Sequence, residues 1–204
     1  MAAVLRLYQA HFDAYPLVTL AATNSSLTAL GDIVAQTAQM IWTAPSSRVP
    51  NRPRWHGLDL ERTVRFAAFG ALMGPLIGRW NIFLERHFPL RSLREPASGP
   101  ISWRALGKRV LADQTAIAPT GLAIFIGTMG VMEGRQISGI QKKYADMYRP
   151  ALIANWEVWP AVQLINFRFM PLAYRVPFQA TAGVFWTLYL SLLNAREEAQ
   201  DRPK

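Results

Sequence analysis

The residues in this sequence that could do chemistry are polar or ionisable side chains set in or beside apolar runs: Asp32 with Gln36, Arg79, Asp113 with Gln114, and Glu157, Gln163, Asn166 and Arg168. In a membrane helix such groups are costly unless they meet water, an ion or one another. Their chemistry would be either ion and solute passage or hydrogen-bonded ties between helices, and the residue types alone leave both open. Asp32 and Gln36 are four apart and share a helix face. At about 100° per residue, Glu157, Ala161, Leu164 and Arg168 line one face, while Trp159, Gln163, Asn166 and Met170 line nearly the opposite one. A helix polar on two sides belongs inside a bundle or beside water.

Other chemistries find no footing. There is no cysteine, which removes disulfides, thiolate catalysis and cysteine metal sites. His11, His56 and His87 are isolated, so neither a metal site nor a cofactor is expected. No nucleophile and base pair, paired-carboxylate motif or phosphate-cradling glycine loop stands out, and an enzyme is not expected. Lys and Arg outnumber Asp and Glu by 22 to 13, but the surplus clusters between apolar segments. That pattern suits membrane-flanking loops and argues against a nucleic-acid partner.

The elements that must position these groups are apolar helices. From Val176 to Ala195 no residue is charged, enough for a helix of roughly 30 Å, the thickness of a bilayer's hydrocarbon core. Upstream, Ala151 to Leu172 is mostly apolar but carries the polar groups above and Pro160, which predicts a kink near Trp156 and Trp159. A first span is predicted from Leu17 to Met40, with Ala22, Ser26 and Ala29 as its small packing face. A second begins at Asp59, Glu61, Arg62-Thr63 and Arg65. It is centred on Gly70, Gly74 and Gly78, whose spacing places three glycines along one stripe beside Pro75. A third runs from Gln114 to Met132, kinked at Pro119, with Ala123, Gly127, Gly130 and Gly134 as a second small-residue stripe.

Between the spans, Ala3 to Tyr15 reads as a short interfacial helix stopped by Pro16, and residues 43–57 and 88–100 read as loops. Ile137 to Arg149 reads as an amphipathic or irregular connector. The count is four spans, or five if Ala151 to Leu172 crosses fully, in which case Ala173 to Arg175 would close a tight hairpin. Lys and Arg fall almost evenly on both sides, so orientation is unassigned. The amino terminus lacks a basic region before a short apolar run, so no secretory signal is read, and organellar targeting would be internal.

The run Asn155-Trp156-Glu157-Val158-Trp159-Pro160, then Gln163, Ile165-Asn166-Phe167, Pro171 and Arg175, and the Trp186, Tyr189, Leu190, Ser191 ending resemble a family signature. It is that of the small mitochondrial and peroxisomal membrane proteins typified by the Mpv-seventeen protein and the twenty-two-kilodalton peroxisomal membrane protein. Tyr15-Pro16, Gly31-Asp32 with Gln36, the Asp59 and Arg62-Thr63 segment, and Asp113-Gln114 are similar to further family patterns. Glu133-Gly134-Arg135 with Met132 resembles the yeast stress-inducible mitochondrial member. The likeness covers nearly the whole chain and is most specific over 132–194. One departure is Arg79-Trp80-Asn81, where many members place His and Tyr around the tryptophan.

The resemblance implies a non-selective channel linked to mitochondrial homeostasis, mitochondrial DNA maintenance and metabolite stress, in the mitochondrial inner membrane or alternatively the peroxisomal membrane. The expected architecture is all-α, a polytopic transmembrane helical bundle of four to five spans with proline-kinked helices, in a single membrane domain over 1–204. Expected partners are the lipid bilayer and small ions or metabolites, with homo-oligomers left open. The alternative is a non-conducting structural or organising membrane protein whose polar residues are interhelical ties. An alternating-access carrier would draw on the kinks at Pro75, Pro119 and Pro160 but lacks an internal repeat.

Overall fold

A computed structural model of the chain describes residues 2–42, 57–91 and 101–200, and within the last stretch it describes side chains as far as residue 188. The described residues are helical, with no strand among them: Ala2–Ala14 (α1), Pro16–Trp42 (α2), Leu60–His87 (α3), Trp103–Ala112 (α4), Ala118–Met132 (α5), Ile137–Phe169 (α6) and Leu172–Gln200 (α7). A π-helical turn, Asp113–Ile117, joins α4 to α5 in one rod. Pro16–Ile41, Leu60–His87 and the Trp103–Met132 rod are each long and apolar enough to cross a membrane. The expected loops fall largely on residues 43–56 and 92–100, outside the described residues.

The boundaries follow from local chemistry. Pro16 opens α2 at the position where its missing N–H costs nothing. Asp59 caps α3 by accepting the Arg62 N–H at 2.9 Å, and Ser102 caps α4 by accepting the Ala105 N–H at 3.2 Å. Gly134 ends α5 at φ 69°, a left-handed conformation that only glycine adopts without strain. Pro171 holds Met170 extended at ψ 125°, and this breaks α6 from α7. The link between the last two helices is therefore Met170 and Pro171, and Ala173 to Arg175, expected as the hairpin link, form the first turn of α7. Ile137 to Arg149, expected as a connector, is the first part of the α6 helix.

Two helix packings organise the bundle. α2 lies against both α3 and α7, and α6 lies against α4 and α5. The glycine stripe of α3 is the reason α2 comes so close: a Cβ added at Gly70 would stand 2.8 Å from the Asn24 carbonyl oxygen, and one at Gly74 would stand 2.4 Å from that of Leu20. Asn24 Nδ2 donates to the Gly70 carbonyl at 2.8 Å across the same contact. The partner face on α2 is thus Leu20, Asn24 and Thr28, while Ala22 and Ser26 of the expected face are exposed. In the second stripe, Gly127 and Gly130 admit Tyr144 and Ile140 of α6, whereas Gly134 meets nothing and serves as the helix stop. Leu84, Leu106 and Phe167 form a buried cluster where α3, α4 and the end of α6 meet. Much of the outer surface is apolar, including Leu72, Leu76, Phe83, Leu111, Val131, Ile153 and Phe169, as lipid-facing helices require.

Candidate functional site

The polar side chains gather into two buried clusters. The first ties α2 to the start of α3. Asp32 Oδ2 accepts from Gln36 Nε2 at 2.7 Å and from Thr63 Oγ1 at 2.8 Å, and Arg62 Nε lies 2.7 Å from Asp32 Oδ1. Gln36 also accepts the Asp59 N–H at 2.7 Å. Asp32 Oδ1 makes no hydrogen bond but is met at 2.7 Å by the Arg62 guanidinium, and the Gln36 amide is used at both ends, so charge compensation makes this cluster a closed interhelical tie.

The second cluster lies at the π-helical turn. Asp113 Oδ1 accepts from Trp80 Nε1 at 3.2 Å, and its Oδ2 accepts from Gln163 Nε2 at 2.8 Å and Gln114 Nε2 at 3.2 Å. Asn166 Nδ2 extends the chain to Gln163 Oε1 at 2.9 Å. Asp113, Gln163 and Asn166 are 4%, 1% and 0% exposed, yet among the described residues no cation lies within ion-pair distance of Asp113. Gln114 Oε1 and Asn166 Oδ1 are buried acceptors without a hydrogen bond. This cluster is open: its carboxylate accepts three neutral hydrogen bonds but faces no cation among the described residues, and two of its amide oxygens accept none.

The backbone explains why the turn sits here. The Ala118 N–H reaches back to the Asp113 carbonyl, and Pro119 has no N–H to offer, so the Gln114 carbonyl loses its helical partner. Trp156 Nε1 takes that carbonyl at 3.0 Å. Tyr148 donates to the Pro119 carbonyl at 3.2 Å, and Tyr144 donates to that of Ala123. Beside this turn an open cleft of about 600 Å³ lies between α4 and α6, lined by Gln114, Thr115, Trp156, Pro160, Leu164 and neighbouring apolar residues.

The remaining singled-out residues lie elsewhere. Glu157 is exposed on α6 and makes no ion pair among the described residues. Arg175 pairs with Glu85 at 3.2 Å, and Arg109, 1% exposed, donates Nε to the Phe88 carbonyl at 2.8 Å. Arg168 stacks over the Trp103 ring, 5.1 Å from its centroid. Arg79 is exposed on α3. Of the signature, Phe167 is in the core, Trp159 and Trp186 are half-buried, and Pro171 makes the break before α7.

Sequence reasoning did not single out Trp80, Arg109, Glu85 or Asn24 as site residues. A tryptophan beside a departure from the family pattern was the one available signal for Trp80. Near the amino terminus, Tyr8 of α1 donates to the Ala173 carbonyl at 2.7 Å and packs against Tyr174, with ring centroids 5.3 Å apart. Burial, with Tyr174 adding to it, pushes its phenol up to about 12.

Comparison with known proteins bears on the same segments. The model of the Mpv17 / PMP22 family matches residues 130–191, which contain α6 and most of α7. Protein sym1 of Schizosaccharomyces pombe is 34% identical over 200 residues, covering 92% of this chain and 89% of the relative. Protein sym-1 of Neurospora crassa is 36% identical over 194 residues, 95% of this chain and all of the relative. Protein SYM1 of Saccharomyces cerevisiae is 32% identical over 200 residues, 98% and 94% of the two chains. No solved structure matches the chain. With identity of this order sustained from α1 to α7, the chain belongs to the Mpv17 / PMP22 family.

Proposed function

We propose that the protein is an integral membrane protein of an organelle that forms a narrow water-filled path for ions or small metabolites, without a catalytic step. The observation that carries this reading is Asp113: a buried carboxylate inside a helix of membrane-spanning length, held by three neutral donors and facing no cation among the described residues. A carboxyl so placed keeps its charge where water or a passing cation completes its shell. Gln114 Oε1 and Asn166 Oδ1 supply further acceptors in the same cluster, of which Gln114 borders the open cleft. The proposed topology is a single membrane domain of four to five spans, α6 and α7 adding to the three apolar rods, with bends at Pro75, Pro119 and Pro160. The proposed location is the mitochondrial inner membrane, with the peroxisomal membrane as alternative, supported by the resemblance carried by residues 132–194.

A second reading, a non-conducting organiser, is favoured by the closed Asp32 cluster and by the α2 and α3 glycine contact, both of which tie helices together. Purified protein in a planar bilayer separates the two. Discrete current steps support the path, and a silent bilayer containing folded protein supports the organiser.

A further inference from the structure

Arg79 stands among the polar groups of the apolar segments, yet its side chain faces outward. The uncharged part of α3 runs from Phe66 to Gly78, about 20 Å and shorter than a hydrocarbon layer of roughly 30 Å, so the long Arg79 side chain lies within snorkelling reach of the layer's edge. Arg86 lies seven residues on, two helical turns, about 10 Å along the same face. Between them is a cleft of about 330 Å³ lined by Arg79, Ile82, Phe83, Arg86 and His87. Both arginines are exposed, and among the described residues neither makes an ion pair. Glu85, the carboxylate in this stretch, is engaged with Arg175. Arg86 and His87 could serve only to offset the negative end of the α3 dipole. That effect fades within the last turn and does not reach Arg79.

We propose that this cleft binds the phosphate head group of an anionic membrane phospholipid, with Arg79 and Arg86 on the phosphate oxygens and Ile82 and Phe83 against the first methylenes. An arginine at the hydrocarbon edge turns its guanidinium toward the interface, where lipid phosphates are its natural partners. Two guanidiniums two turns apart suit a head group carrying two phosphates better than one carrying a single phosphate. The apolar floor distinguishes the site from one for a free anion, which would leave Phe83, 43% exposed, uncovered. The site requires no conduction, so it stands or falls separately from the proposed path.

The test is native mass spectrometry of the full chain released from mixed micelles of diphosphatidylglycerol and phosphatidylcholine. Wild-type protein should retain diphosphatidylglycerol in preference to phosphatidylcholine. The Arg79→Gln/Arg86→Gln double variant should lose that preference about thirtyfold, which converts to about 2 kcal/mol for two arginines near the surface. Both side chains are exposed and unpaired, so the variant should fold, and an unchanged melting temperature verifies this. Arg104→Gln, an exposed arginine on α4 outside the cleft, should leave retention unchanged. Equal retention by wild type and the double variant overturns the proposal, as does an equal loss in Arg104→Gln, which would mean general charge attraction. Displacement of the lipid by millimolar inorganic phosphate also overturns it, in favour of a soluble anion.

Discussion

At the scale of single residues, what decides a side chain's role is whether its partners compensate it. Asp32 has a guanidinium and two neutral donors, so Asp32→Ala should cost about 3 kcal/mol, because Gln36 and Thr63 lose their acceptor and Arg62 its counter-ion. Thermal melts in detergent would read that loss. Glu157 has no ion pair among the described residues and is exposed, so Glu157→Gln should change stability by less than about 0.5 kcal/mol. A large loss there would place Glu157 in a buried contact after all. Tyr8 gives a pH dependence. Its phenol is held protonated up to about 12 against an ordinary 10.0, so the folded state binds this proton more tightly than the unfolded one. The stabilisation is complete below pH 10 and is lost as pH rises through about 12. Tyr8→Phe, which also removes the hydrogen bond to Ala173, should show a smaller fall in stability across that window than wild type. The residue types at the site were legible in the sequence, but their pairing was not. Asp113 and Gln163 are fifty positions apart, and local periodicity carries no information about which distant helix supplies a donor.

At the scale of elements, glycine spacing was the most informative feature, and it was informative about one side only. Gly70, Gly74 and Gly78 announced that a backbone approaches α3 closely, but not which face of α2 would do so. The choice of Leu20, Asn24 and Thr28 depends on the Asn24 bond to the Gly70 carbonyl, which no small-residue pattern encodes. Gly74→Leu should therefore lower stability by several kcal/mol, since even its Cβ would meet the Leu20 carbonyl. Leu72→Ala, at a position 50% exposed on the lipid-facing side, should have little effect. Equal melting temperatures for the two variants would remove the stripe as a packing face. The break between α6 and α7 was expected three residues late, at Ala173 instead of Met170. The rule that decides it was present in the sequence: Pro171 excludes Met170 from the helix, and nothing excludes Ala173. Gly134→Ala, forced to φ 69° with a side chain, should cost about 1 to 2 kcal/mol with no steric clash, because open space surrounds the position.

At the scale of the whole molecule, three apolar rods carry, with α6, two polar clusters of opposite character, one closed and one open. Alkaline carbonate extraction should leave the protein in the membrane pellet, and release into the supernatant would contradict the spans. The all-helical architecture was legible because uncharged runs of bilayer length are a strong signal. The inward placement of Asp113 and the outward placement of Arg79 and Glu157 were not, because that sorting is set by how the rods rotate against one another. The central claim is that the open cluster borders the conducting path. The most direct measurement is the reversal potential of purified protein in a planar bilayer under a potassium chloride gradient, wild type against Asp113→Asn, with folding of the variant verified by its melting temperature. A fixed negative charge beside a narrow path favours cations, so wild type should reverse on the cation-selective side and Asp113→Asn should move toward zero. An unchanged reversal potential in a folded Asp113→Asn channel, or no conductance from folded wild type, would contradict the claim.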